Sequence, residues 1–237
     1  MTDTRAFYDT IAEDYAAHFR DPLAERPLER ALLGAYAEQV GPHGTVADLG
    51  CGPGAVTAHL AGLGLSVFGL DLSDAMIAVA RREHPALRFE QGSMRELPSA
   101  GGSLAGVVSW YSSIHTPVDE LPELFAEFHR VLAPGGLLLL AFQVGDVPLR
   151  LERPFGRDVA LDHHRRRPEQ MAELLSGAGF VLRSSTVREP EVTRGESPVP
   201  QAFLFARKPP ADGTPHRVPD RERNGNHPSY PAGENIR

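Results

Sequence analysis

Cysteine is nearly missing from this sequence of 237 residues: Cys51 stands alone, so no disulfide can form within the chain. Long apolar runs are missing too. The longest, Leu137 to Phe142, suits a buried strand rather than a membrane span. The first residues lack the apolar stretch of a secretory leader and pass directly into a polar helical pattern. A cytoplasmic protein with no membrane partner is the expectation. Basic excess is also lacking: 24 Lys and Arg face 31 Asp and Glu, for a net charge of -7. That balance weighs against a nucleic-acid partner, whose usual footprint is a basic stripe. Metal-ligand spacing is lacking as well. His163 and His164 are adjacent, and adjacent histidines rarely chelate one ion, so no metal is expected.

What is present is a core-forming composition, 41% hydrophobic and 23% charged. Apolar residues at Phe7, Ile11, Tyr15 and Phe19 mark one face of a helix over residues 4–19. Pro27 opens a second helix that Gly41-Pro42 ends at Val40. Short apolar strands follow at 45–49, 65–70, 87–90, 106–111 and 137–142, with Pro134-Gly135-Gly136 as a tight turn before the last. Helical patterns fall between them at 55–61, from Ser73 through Ala80, and at 121–132. Strands alternating with helices predict βαβ units and a parallel sheet with helices on both faces. Residues 144–167 read as a loop or hairpin over the top of the sheet. A helix from Pro168 to Ala178 and strands at 180–188 and 202–207 complete the pattern. Residues 209–237 hold almost no large apolar side chains and read as a disordered tail. The expected division is a helical cap over 1–44, a ligand-binding domain over 45–208 with 144–167 covering the substrate, and that tail.

The strongest local signal is Asp48-Leu-Gly50-Cys-Gly52-Pro-Gly54, between a strand and a helix. Glycines there let the backbone turn and approach a ligand closely, and the following helix offers free N–H groups. Asp71 ends the second strand about 20 residues on, where a carboxylate accepts hydrogen bonds from ribose hydroxyls. Together they indicate an adenosine-containing cofactor. Gly50-x-Gly52-x-x-Ala55 also satisfies a dinucleotide pattern. Asp48 argues for a cationic amino-acid moiety and against a pyrophosphate. Residues 1–44 precede the first strand, and no substantial second domain follows to hold a hydride acceptor.

Asp48-Leu-Gly-Cys-Gly-Pro-Gly54, Asp71-Leu-Ser-Asp-Ala-Met76 and Arg130-Val-Leu-Ala-Pro-Gly-Gly136 closely resemble the motifs of class I S-adenosylmethionine-dependent methyltransferases. The opening Phe7-Tyr-Asp-Thr-Ile-Ala-Glu-Asp-Tyr15 is similar to the N-terminal helix of small-molecule members, and the likeness covers residues 4–208. It implies a Rossmann-like α/β fold, a doubly wound, mostly parallel seven-stranded sheet whose last strand is antiparallel. It implies S-adenosyl-L-methionine as cofactor. Gly50, Gly52 and Gly54 would wrap its methionine part, Asp48 would orient its amino group, Asp71 would bind the ribose, and Leu72 and Met76 would flank the adenine. The turn after the third strand usually carries an acid. Here it reads Gln91-Gly-Ser93-Met94, which leaves Ser93, Met94 or the backbone for the adenine edge.

Methyl transfer asks mainly for positioning and exclusion of water, with a general base where the acceptor carries a proton. His115, in Ser109-Trp-Tyr-Ser-Ser-Ile-His115, is the first candidate base, its alternative role being a loop cap. His164 is the second. Trp110 and Tyr111 are candidates to wall the cofactor and the substrate, one of them packing in the core because strand side chains alternate. Tyr15 is expected to close over the cofactor. His163 is assigned to the substrate, with Asp162 orienting a histidine. Arg165-Arg-Arg167 reads as a solvated face, and Cys51 as small filler. The expected activity is methylation of an oxygen or nitrogen on a small molecule, secondary metabolites included, by a monomer or homodimer. A repurposed S-adenosylmethionine binder, a nucleic-acid or protein methyltransferase and an NAD-dependent oxidoreductase are the competing readings.

Overall fold

The computed structural model describes residues 4–191 and 198–211. Its centre is a seven-stranded sheet of order β3-β2-β1-β4-β5-β9-β8. The strands are β1 (Thr45–Leu49), β2 (Ser66–Asp71), β3 (Arg88–Gln91), β4 (Leu104–Trp110), β5 (Leu132–Gln143), β8 (Val181–Arg188) and β9 (Gln201–Arg207). β1 pairs in parallel with β2 and β4, β2 with β3, and β4 with β5; β9 runs antiparallel to both β5 and β8. The chain winds outward from β1 to β3, then returns to start β4 on the other side. That reversal leaves a crevice at the carboxyl ends of β1 and β4, where open α/β sheets bind ligands.

Both faces of the sheet are covered, so β5 is apolar without alternation. Leu137 and Leu139 face a layer formed by Leu33 and Tyr36 of α2 (Pro27–Val40) and Leu60 of α3 (Ala55–Gly62). Leu138 and Leu140 face Phe125 and Phe128 of α5 (Leu121–Val131) and Met171 and Leu175 of α6 (Pro168–Gly177). α4 (Asp74–Glu83) starts where Ser73 Oγ accepts the Met76 N–H at 3.1 Å, a side-chain N-cap.

β5 starts earlier than the apolar run predicts. Pro134-Gly135-Gly136 lies inside it rather than in a free turn, because Gly135 N–H donates to the Lys208 carbonyl and Lys208 N–H donates to Gly136. Residues 144–167 hold an antiparallel hairpin, β6 (Leu149–Glu152) with β7 (Ala160–His163), separate from the main sheet. The Arg165–Arg167 face is not uniformly solvated. Arg166 is 6% exposed, drawn in by a bridge to Val144, and its Nη2 donates to the Thr116 carbonyl at 2.5 Å. Of the tail, residues 212–237 lie outside the described residues. No helix among the described residues is long and apolar enough to cross a membrane.

α1 (Thr4–His18) lies over α4 and against the hairpin. Its inner side buries Phe7 and Ile11 against Leu161 of β7, and Ala12 against Met76 and Val79 of α4. Its outer side is tied down by charge. Arg5 pairs with Asp74, Glu13 with Arg82 at 2.7 Å, and Asp14 with Arg157 at 2.8 Å. Asp9 accepts from Ser73 Oγ at 2.6 Å and from the Ala75 N–H at 3.1 Å.

Candidate active site

The glycine turn after β1 lies at the crevice. Gly50, Gly52 and Gly54 all have positive φ, at 71°, 53° and 89°. They differ in what surrounds them. A Cβ on Gly50 would collide with Ser112, and one on Gly54 would run into Phe89 and His84, whereas one on Gly52 meets nothing within 4 Å. Gly52 is therefore the glycine with open space at its α-carbon, and it lines the cavity. Asp71 stitches the turn to β2: its Oδ2 accepts the Gly52 N–H at 2.8 Å and its Oδ1 accepts the Ser73 N–H at 2.9 Å. Burial raises its pKa against those backbone hydrogen bonds.

Two of the expected cofactor contacts stand behind this turn rather than on the cavity wall. Gly54 is packed against the α4–β3 side, under Phe89. Asp48 is 1% exposed and accepts a hydrogen bond from Thr57 Oγ1 at 2.6 Å, so its carboxylate faces α3. Burial pushes its pKa up to about 7, with the Asp71 charge adding to the rise and the Thr57 hydrogen bond opposing it.

Gly50, Gly52, Asp71, Leu72, Met76, Ser93 and Met94 all line one cavity of about 1580 Å³. Met76 is almost wholly packed, at 1% exposure, while Leu72 is open at 36%. Ser93 Oγ accepts the Arg95 N–H at 3.2 Å, which leaves its own proton to donate. The volume exceeds the usual range for one small ligand, about 300–1,000 Å³, and leaves room for a second.

That second space lies past the end of β4. Trp110 and Tyr111 both line it and both are half-buried, contrary to the alternation expected of a strand. Tyr111 leaves the strand with φ of 55°, which breaks the alternation; its N–H still donates to the Ala141 carbonyl at 2.9 Å. Trp110 packs edge-on to Tyr111 and tilted over Phe203. Ser112 Oγ donates to the Leu49 carbonyl at 2.5 Å and lies 2.7 Å from Ser109 Oγ, which locks the β4 end to the β1 end.

His115 closes a short 3-10 turn beyond β4. Its Nε2 lies 2.8 Å from the Tyr8 hydroxyl of α1. Its Nδ1 is buried without a hydrogen bond of ordinary geometry. Burial, then the charge His163 would carry, lower its pKa to about 3, against the pull of the nearby Asp162 carbonyl. His163 stands edge-to-face with it, ring centroids 5.0 Å apart, and His163 Nε2 is likewise buried without a partner. His164 also lines the cavity, its N–H donating to the Ile114 carbonyl at 2.8 Å. Burial lowers the pKa of both. The Asp162 carboxylate pairs with Arg150 at 3.0 Å rather than with a ring. Tyr15 reaches the cavity from α1, with its ring 6.1 Å from that of Tyr8. Cys51 is buried in the turn, its thiol pKa raised by burial, consistent with a filler.

Tyr8 is a cavity residue that the sequence pattern does not single out. It lies seven residues before Tyr15 and so projects from the same helix face, a spacing that would have flagged it. Its partner is 107 residues away, which no local pattern reveals.

These features define a doubly wound α/β protein whose switch-point cavity fits an adenosine-containing ligand and has room for a second. The open α-carbon of Gly52 and the Asp71 carboxylate at the wall supply the fit. Residues 46–136 match the methyltransferase domain family, the part of the chain that holds the glycine turn and Asp71. A probable S-adenosylmethionine-dependent methyltransferase of Mycolicibacterium smegmatis is 31% identical over 138 residues, 57% of this chain and 51% of that protein. The chain thus spans about half the length of that curated relative. Among solved structures, a 1,6-didemethyltoxoflavin-N1-methyltransferase of Burkholderia thailandensis has 22% identity and a TM-score of 0.64, over 86% of this chain and 87% of that one. The [4+2]-cyclase SpnF has 19% identity and a TM-score of 0.68, over 87% and 96%. At these identities the structures speak to the fold alone, and both carry the same fold as this chain.

Proposed function

We propose that the chain transfers the methyl group of S-adenosylmethionine to an oxygen or nitrogen of a small molecule, secondary metabolites included. One observation carries this reading. The cavity that holds the glycine turn and Asp71 continues into a chamber walled by Tyr8, Tyr111, His115 and His163 and roofed by α1 and the hairpin. A cavity bordered by α1 and the hairpin suits a metabolite better than a polymer. In this reading Asp71 takes the ribose hydroxyls, Leu72 and Met76 flank the adenine, and Ser93 and Met94 border its edge. Gly50 and Gly52 line the methionine part, with Tyr15 and Trp110 closing over it. Asp48 acts from behind, through the turn it supports.

When bound, the cofactor supplies an activated methyl group on a sulfonium. The chain's own work is to hold the acceptor in line, exclude water and manage the acceptor's proton. His115 remains the candidate for that last task, with His164 second. The test is calorimetric titration with S-adenosylmethionine, and separately with NAD and NADH. Binding of S-adenosylmethionine alone supports the reading; binding of a nicotinamide cofactor instead overturns it. The likeness to a cyclase on the same fold favours one second reading, a chain that binds the cofactor but does other chemistry. Release of S-adenosylhomocysteine in the presence of an acceptor separates the two.

A further inference from the structure

We infer that Tyr8, backed by His115, is the group that meets the methyl acceptor, and that the acceptor is an uncharged aromatic hydroxyl. The inference rests on the methyl-transfer reading above. His115 offers the chamber no free ring nitrogen: Nδ1 is buried and Nε2 is taken by Tyr8 at 2.8 Å. Any proton that reaches His115 must therefore pass through the Tyr8 oxygen, or Tyr8 must leave. Tyr8 itself lines the cavity and is half-buried, so its ring has one side toward the chamber. Burial raises its pKa well above that of a free phenol, and it stays protonated. With the imidazole proton on Nδ1, toward the Asp162 carbonyl, the protonated Tyr8 hydroxyl donates to Nε2. Its oxygen lone pairs are then left to accept a proton-bearing group of the ligand.

The surroundings set the ligand's chemistry. Tyr15, Tyr111 and Trp110 give flat walls, and Phe19 and Phe155 stand part-exposed at the rim, at 41% and 43%. Phe155 is held at φ of 53° against His18, with ring centroids 5.6 Å apart. Two ion pairs border the cavity, Arg150 with Asp162 and Arg95 with Glu120. Flat aromatic walls, paired charges and the Tyr8 acceptor suit a neutral ring that bears a weakly acidic O–H.

The step balances. The acceptor oxygen forms its bond to the methyl carbon as the carbon–sulfur bond breaks, and that electron pair stays on sulfur. The acceptor's proton moves to the Tyr8 oxygen while the Tyr8 proton moves to His115 Nε2. The positive charge lost at the sulfonium reappears on the imidazole, so no net charge is created in the chamber. Water that enters as product leaves removes the proton.

The experiment supplies S-adenosylmethionine with a series of phenols, from 4-nitrophenol to unsubstituted phenol, and follows S-adenosylhomocysteine. Wild-type chain and Tyr8→Phe are compared, with the cofactor's Kd measured for each. Removal of the hydroxyl should slow transfer to unsubstituted phenol by about tenfold or more, the scale of assisted proton transfer. The loss should shrink toward none for 4-nitrophenol, which ionises without help, and the Kd should hold. A loss that is equal across the series marks a structural role and overturns the inference. So does cofactor binding with no transfer to any phenol. Failure to bind S-adenosylmethionine removes the underlying reading as well, and the calorimetry shows which of the two has failed.

Discussion

The two halves of the cavity are built in opposite ways. The cofactor half is made from short, local pieces of chain. Gly50 and Cys51 N–H groups donate to the Leu70 carbonyl, and the Asp71 carboxylate accepts from Gly52 and Ser73, so one carbonyl and one side chain hold the backbone of the turn. The acceptor half is made from side chains that arrive from far apart: Tyr8 from α1, His115 from beyond β4, His163 from the hairpin. A rigid backbone cradle suits one invariant ligand. A chamber of side chains on movable pieces can be refitted to new acceptors without disturbing the cradle.

The largest expected effect separates the halves by pH. Asp48 holds its proton more tightly when folded, up to about 7 against an ordinary 3.8. Stability from that group falls as pH rises from about 4 to 7, by on the order of 4 kcal/mol at one pKa unit per 1.36 kcal/mol. His115 does the reverse. Its pKa is lowered to about 3 from 6.5, so its contribution is present above the ordinary value and falls away as pH drops toward 3. Urea unfolding between pH 4 and 8 should show Asp48→Asn gaining on wild type toward the alkaline end. His115→Gln should gain toward the acid end. Curves parallel to wild type would break the contrast.

Next in size, Asp71→Ala removes the acceptor of two backbone amides and the proposed ribose partner. Charged hydrogen bonds contribute about 1.5–3 kcal/mol each, so S-adenosylmethionine affinity should fall by about a hundredfold or more in calorimetry. Retained affinity would show that the ribose lies elsewhere.

A smaller effect tests the glycines against each other. Alanine at Gly50 meets both positive φ and the Ser112 side chain, whereas alanine at Gly52 meets positive φ alone. Left-handed strain costs about 1–2 kcal/mol, so Gly52→Ala should melt a few degrees below wild type and lose cofactor affinity. Gly50→Ala should melt lower still. Equal melting points would mean that Ser112 yields freely.

The smallest effect belongs to the cap. Arg82→Ala breaks an exposed ion pair with Glu13 and should leave thermal stability unchanged within error at moderate salt, as exposed pairs usually do. A clear loss would show that α1 depends on charge more than on Phe7 and Ile11.

The same contrast explains what could be read from sequence. The glycine turn from Asp48 to Gly54 and the strand end at Asp71 are legible because each lies within a few residues of a strand end, where spacing and geometry coincide. The parallel sheet with helices on both faces follows from the alternation of strands and helices. Tyr8 was not legible as a site residue, since its meaning depends on His115. Arg166 was misread because three consecutive arginines suggest solvent, while a single backbone bridge to Val144 carries the middle one inside. Tyr111 escaped the alternation rule through one positive φ. Gly54 and Asp48 were read as ligand contacts because the motif names positions and not directions.

The roof over the chamber also has a place in time. α1 leaves the ribosome before the sheet does, yet its partners come 69 residues later at Arg82, 107 later at His115 and 143 later at Arg157. Contacts so distant along the chain close late in folding. The helix synthesised before the sheet is therefore seated after it, and a half-folded molecule can display a finished cofactor cradle before it has any enclosed place for an acceptor.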